Sequence, residues 1–353
     1  MPLTKEDRIK TVMGGGGHVV ILGAGASIAS TLRNPELSGK KLPSMANFIQ
    51  VVELQDIVES LPDNLVSKNF EDLYTNLHND NPLSDEIFKI EKSVYDYFKD
   101  MKLPDEPTIY DYLVLSLRPK DLIATFNWDP FLYQAWTRNR ELTEDSPHVS
   151  FLHGNVSIGF SKDDKRSGPA GWYSKETKNF MEPSKFLFPI EKKDYASDEF
   201  IITEWDRLKY WLNHESTKRV TVFGYGTPKS DYEAIKILND AWGTRDERNM
   251  EQFEIIDIKK ENEVRENWDN FIHSHHYDYA TNYFDSILAH NPRRTSESYF
   301  QHYLPMNSAE AFSKSNPVPN DFKTLEELWD WHKPLIAAEN EWKLKNMENE
   351  NNG

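Results

Sequence analysis

The stretch His18-Val19-Val20-Ile21-Leu22-Gly23-Ala24-Gly25-Ala26-Ser27 decides the fold. Its first half is apolar and β-branched without alternation, the pattern of a short strand buried on both faces, as parallel strands are. Its second half turns on two glycines and is expected to open a helix. A buried strand that runs through Gly-x-Gly into a helix is the first unit of a doubly wound sheet. There, backbone N–H groups and the helix N-terminus favour a pyrophosphate. The third glycine of the dehydrogenase fingerprint is replaced by Ile28. A tight strand-to-helix turn without a ligand therefore stands beside the nucleotide reading.

Working outward, the same pattern recurs. Asp121 to Thr125 ends at Phe126-Asn127-Trp128-Asp129-Pro130, and His148 to Leu152 ends at His153-Gly154-Asn155. Arg219 to Phe223 ends at Gly224-Tyr225-Gly226, and Phe253 to Ile258 carries Asp257. Helical spacing links Val51, Leu54, Val58 and Leu61, and again Ile87, Ile90, Val94 and Tyr97. Thr108 is placed to cap a helix, and Thr324 with Glu327 fits a capping box. Helices are also expected over Ile201 to Leu212 and Asp231 to Trp242, and the polar run Asp163 to Glu176 reads as a surface loop.

Short strands alternating with helices imply an α/β fold: a Rossmann-like parallel sheet with helices on both faces. The expected sheet domain is discontinuous, residues 13–31 and 118–275. A helical insertion is expected over 32–117, a helical C-terminal extension over 276–345, and a disordered tail over 346–353.

Composition narrows the classes. The 353 residues carry 41 Lys+Arg against 58 Asp+Glu, a formal charge of −17, so a nonspecific duplex-DNA binder is not expected. Aromatic residues make up 13%, enough for a sizeable core, which argues against wholesale disorder. The absence of cysteine excludes disulfides, thiolate nucleophiles and Cys-ligated zinc. No apolar run approaches the ~20 residues of a membrane span, and no signal-peptide pattern opens the chain, so a cytoplasmic protein without membrane contact is expected.

Ligands of open α/β sheets sit at the carboxyl ends of the strands, and the chemically suggestive residues all fall there. Asn127 and Asp129 suit ribose hydroxyls, an amide or a water, although turn chemistry explains both equally simply. His153 is placed as a proton acceptor, with loop hydrogen bonding as the plainer alternative. Gly224, Tyr225 and Asp231 form a second glycine-rich strand end suited to the adenosine half of a dinucleotide. Asp257 reads either as a ribose-binding carboxylate or as a turn residue. His273, His275, His276 and Asp278 cluster without any known metal-ligand spacing, so no metal is expected.

The order of four blocks resembles the sirtuin-like family of NAD-consuming proteins: GAGAS at 23–27, TFNWD at 125–129, FLHGN at 151–155 and FGYGTPKSD at 223–231. FLFPIEKKDY followed by Trp205 is similar to the family's bacterial branch. The four zinc-binding cysteines of the deacetylases are missing, and Gly226 stands where Ser is usual. The sequence thus looks more like the antiphage-defence members that hydrolyse NAD. The resemblance implies NAD as substrate, with Asn127 and His153 catalytic. It implies Gly23, Ala24, Gly25 and Ser27 around the pyrophosphate, and Asp129 near the carboxamide. Gly224, Tyr225, Asp231 and Asp257 fall on the adenosine side. It further implies an antiviral effector, a homo-oligomer, and a defence-system partner such as an ATPase. A non-catalytic NAD- or ADP-ribose-binding subunit is the alternative.

Overall fold

The computed structural model describes residues 16–32, 40–190, 193–227, 231–248, 250–273, 276–299, 301, 306 and 314–351. Pro228, Lys229, Ser230, His275, Glu191 and Lys192, all within quoted motifs, lie outside the described residues, as do residues 1–12.

The strand predicted from the opening stretch forms as β1 (Gly17–Leu22), every residue of it buried. It pairs in parallel with β2 (Leu122–Thr125), which pairs in parallel with β3 (His148–Phe151). On its other side lies β7 (Thr217–Phe223), followed by β8 (Gln252–Ile256) and β9 (Tyr277–Ala280), again all parallel. The order β3-β2-β1-β7-β8-β9 is the dinucleotide-fold arrangement, with the chain reversing its winding at β1 and β7. The architecture is α/β, a parallel sheet with helices on both faces. Helix Glu199–Asn213 crosses the central strands, and Trp205 and Leu208 on it are buried.

Between β1 and β2 the chain is helical in its described parts. Phe70–Asp80 is capped by Asn69, Asp85–Lys99 by Ser84, and Thr108 sits at the N-cap of Ile109–Leu115. The predicted apolar faces are the buried ones, with Ile87, Ile90 and Val94 inside, while Tyr97 is half-buried. Thr324 and Glu327 exchange bonds of 3.3 and 3.2 Å at the start of the last helix, Leu325–Asn351.

Three expectations are corrected. The polar run after Asp163 is not simply loop: Ile158–Ser161, Arg166–Pro169 and Glu182–Pro183 (β4, β5 and β6) form a small antiparallel sheet. The extension expected to be helical from 276 starts with β9, an edge strand in which Tyr277, Asp278 and Tyr279 are only partly covered or exposed. Aromatic β-formers supply the propensity there, and partial burial hides the signal. The tail does not lose structure at 346 but continues as helix to Asn351, where Met and Glu are good helix formers and no Gly or Pro intervenes.

Candidate functional site

Register brings the candidates together. Leu22 lies beside both Thr125 and Phe223, Thr125 beside Phe151, and Phe223 beside Ile256. Five strands therefore end level. The next one or two residues are Gly23, Asn127, His153, Gly224 and Asp257. Adjacent strands lie ~4.8 Å apart, so Asn127 and His153, on neighbouring strands, face one region of space. A cleft of ≈ 410 Å³ opens there, lined by Gly23, Ala24, Ser27, Asn127, Asp129, His153, Gly224, Tyr225 and Asp231. Gly25 and Asp257 are the two candidates that do not line it. Asp257 instead accepts the backbone N–H of Lys259 at 2.9 Å, the turn role that its sequence left open.

The glycines serve each other before they serve a ligand. A Cβ on Gly23 would meet the Gly224 carbonyl oxygen at 2.6 Å, and a Cβ on Gly224, at φ +60°, would meet Ala26 N at 2.4 Å. The two strand-end turns nest backbone to backbone, and only glycine permits it. Gly23 N–H donates to Phe223 O and Gly25 N–H to Gly224 O, so neither is open to a pyrophosphate. Ala24 N–H makes no hydrogen bond among the described residues. It leads the helix Ala24–Thr31 at the cleft, where the helix N-terminus favours negative charge.

Asn127 is held firmly. Its Nδ2 donates to Gly23 O at 2.8 Å and to Ser27 Oγ at 2.9 Å, with Tyr110 OH at 3.3 Å. None of these bonds uses Oδ1. The loop beneath is stapled by Asn155, whose Nδ2 donates to Asn127 O and Asp129 O at 3.2 and 2.6 Å. Asn155 sits inside the quoted FLHGN block, so its position was visible in the sequence but its role was not. Tyr110, which also shares a 2.6 Å bond with Ser27 Oγ, comes from a helix far along the chain with no motif around it.

His153 is buried and meets Tyr195 OH at 3.4 Å. Phe126 presses edge-on against its ring at 4.7 Å and stacks on Tyr225 at 4.2 Å. Burial, then the nearby Lys193 ammonium, lowers its pKa to about 3, while Asp231 pulls the other way. The imidazole is therefore neutral at neutral pH: able to accept a hydrogen bond, but a weak base. Asp129 is shifted oppositely. Burial raises its carboxyl to about 6, against the bonds from Ser27 and Phe131 N–H that favour the charged form. At the cleft wall, Lys193 and Asp231 form a buried ion pair, and Tyr225 OH donates to the same carboxylate at 2.7 Å. Burial pushes Asp231 up, but His153, Lys193 and Tyr225 together hold it below its ordinary value.

The unusual flanks of Asn127 also have a place. Trp128 donates through Nε1 to His153 O at 3.1 Å, and its ring stacks on Phe186 at 5.4 Å and meets Phe48 and Phe98 edge-on. Such aromatic pairs contribute ~0.5–1.5 kcal/mol each beyond burial. They fix the helical segment over the cleft, so that Leu42, Pro43, Met45, Phe48 and Phe98 form an apolar wall facing the polar strand ends. The histidine cluster near 273–278 lies elsewhere. His273 Nε2 meets Gly243 O, and Asp278 accepts from Gln252.

No protein-family model matches the sequence, and no curated protein matches it. Among solved structures, a Sir2 homologue in complex with NAD is 13% identical, with 78% of this chain and 86% of that one covered and a TM-score of 0.36. A mutant Sir2 homologue bound to ADP-ribose is 12% identical, covering 76% of this chain and 96% of that one, also at 0.36. At that distance the likeness carries no weight for chemistry, which has to come from the residues of this chain.

Proposed function

We propose that the cleft binds an NAD-type dinucleotide and hydrolyses its nicotinamide–ribose bond, giving nicotinamide and ADP-ribose. The observation that carries this reading is the convergence of Asn127 and His153 on one cleft between two glycine turns at the winding reversal of the sheet. The order of the four sequence blocks supports it.

In this reaction the bond from ribose C1′ to the ring nitrogen breaks, and its electron pair leaves with the nicotinamide, which becomes neutral. Positive charge builds on the ribose, as in glycoside cleavage. Asn127 offers Oδ1 to a ribose hydroxyl or the attacking water, because its amide nitrogen is committed to the protein. Water adds to C1′ and loses one proton. Neutral His153 accepts a hydrogen bond from a ribose hydroxyl or that water without first having to lose a proton. Asp129 and Ser27 lie beside the pocket for the leaving carboxamide, and the Ala24 turn lies beside the pyrophosphate. The test is nicotinamide release by purified protein. It is expected in the wild type and absent in Asn127→Ala and His153→Ala, and wild-type turnover in both variants would overturn the assignment.

A second reading, dinucleotide binding without turnover, draws on the weak basicity of His153. It is separated by calorimetry: ADP-ribose binds while nicotinamide release stays at background. The role of antiphage effector, restrained by self-association or by a partner such as an ATPase, rests on the motif resemblance alone. It predicts NAD loss in infected cells that Asn127→Ala abolishes.

A further inference from the structure

We propose that the corner of the cleft formed by Gly226 and Lys259 is a phosphate subsite, selecting a dinucleotide that carries a phosphate on its adenosine ribose. The proposal rests on the reading above, in which Asn127 and His153 take the nicotinamide ribose and the adenosine ribose lies toward β7 and β8.

In doubly wound sheets, a carboxylate at a strand end reads the free ribose diol, and a cation there accommodates a 2′-phosphate. At the end of β8 the carboxylate is withdrawn. Asp257 is turned onto the Lys259 backbone N–H and does not line the cleft. The side chain that does reach the cleft from this strand end is Lys259. Its Nζ lies 3.3 Å from where a Cβ on Gly226 would stand, and it forms no ion pair among the described residues. Gly226 is thus the residue that leaves this ammonium room. A cation and an open glycine suit a tetrahedral oxyanion. They do not suit a diol, which calls for an acceptor of fixed charge.

The experiment measures calorimetric affinity for ADP-ribose and 2′-phospho-ADP-ribose at one ionic strength, together with turnover of NAD+ and NADP+. The wild type is expected to favour the phosphorylated ligand by about tenfold, the worth of one charge-assisted contact. Lys259→Glu, at an exposed position, should reverse that preference. Equal affinities in the wild type would overturn the proposal. So would a Lys259→Glu loss that is the same for both ligands, which would make the lysine a contact to the shared pyrophosphate. Binding of ADP-ribose alone would sink this inference and leave the parent reading standing. Binding of neither ligand would sink both.

Discussion

His18 stands near the start of β1, and His153 two residues past the end of β3; both are buried. His18 is bonded through both ring nitrogens, to Thr295 Oγ1 and Thr221 Oγ1, each at 2.8 Å. Thr221 in turn donates to Glu254, whose other oxygen accepts Ile287 N–H. Around the same edge, Arg118 and Lys120 pair with Glu297, and Arg293 with Glu339, all but Lys120 nearly free of solvent. At the opposite edge, His153 has one long contact, Asn127 keeps an uncommitted oxygen, and Asp129 is buried with its pKa raised. Both edges bury polar groups. One closes most of them into a network, Glu297 Oε2 excepted among the described residues, and the other leaves capacity open at the cleft. Closed networks fix the fold, whereas open, perturbed groups in a cleft mark the place for a ligand.

Loss of activity should be the largest difference between the edges. Asn127→Ala and His153→Ala are expected to lower nicotinamide release by about 10²–10⁴-fold, while Asn127→Ala loses about 1–3 kcal/mol of stability with its bonds to Gly23 and Ser27. His18→Ala should leave turnover within a few fold while costing about 1–3 kcal/mol of stability, because Thr221 and Thr295 lose their partner. Turnover of the three variants side by side breaks the comparison if His18→Ala is the inactive one.

On the closed edge, Glu339→Gln leaves the Arg293 guanidinium buried without its counter-charge. That should cost about 3–5 kcal/mol in urea unfolding, with little change in turnover per folded molecule. A neutral outcome would mean that this edge is no more committed to the fold than the cleft is.

The closed edge was the less legible of the two. The segment from Pro292 to Ser298 (PRRTSES) is entirely buried, yet its composition is that of an exposed loop. Nothing local in it announces Glu339 or Thr221 as partners, because those pairings arise only in three dimensions. Five of the six parallel strands were readable: β1 and β2 as apolar runs buried on both faces, and β3, β7 and β8 as short apolar stretches interrupted by Ser150, Thr221 and Glu254. β9 was not, because its Asp278 is exposed and its tyrosines only partly buried, so no apolar run marks it. The strand-end residues Asn127, His153 and Gly224 were readable because strands announce their own ends. Tyr110 and Lys259 were not, since each comes from a segment without a motif, and Tyr195 ends the quoted FLFPIEKKDY block without anything local announcing its contact with His153. Gly25 shows why the motif admits two readings: two nested backbones call for glycine just as a phosphate does.

Open capacity has a cost that can be measured. Asp129 titrates at about 6 when folded, against about 3.8 unfolded, so above pH 6 the folded state carries a buried charge that the unfolded chain solvates. Asp129→Asn should stabilise the protein by about 2–3 kcal/mol at pH 7 and by nothing below pH ~3.8. The same change should slow turnover. Stabilisation together with undiminished turnover would remove Asp129 from the site.

His153 gives the opposite pH dependence. Its folded pKa of about 3 lies below the unfolded value near 6.5, so between those limits the unfolded state binds the extra proton. Its contribution to stability is complete above pH ~6.5 and is lost as pH falls. His18 and His332 are lowered by burial in the same sense. One such group should account for about 2 kcal/mol of the stability lost between pH 6.5 and pH 5. Urea unfolding of wild type and His153→Gln at both pH values isolates that share, because the other titrating groups are common to the two proteins. His18→Gln should show the same difference, since burial is the main cause in both. ADP-ribose then tells the edges apart: the folded ring is neutral at pH 5 and pH 7 alike, so a ligand that donates a hydrogen bond to His153 binds equally at both and less tightly to His153→Ala, whereas His18→Ala leaves its affinity unchanged. Affinity for ADP-ribose at pH 7 that is unchanged by His153→Ala would place the imidazole outside the ligand's reach.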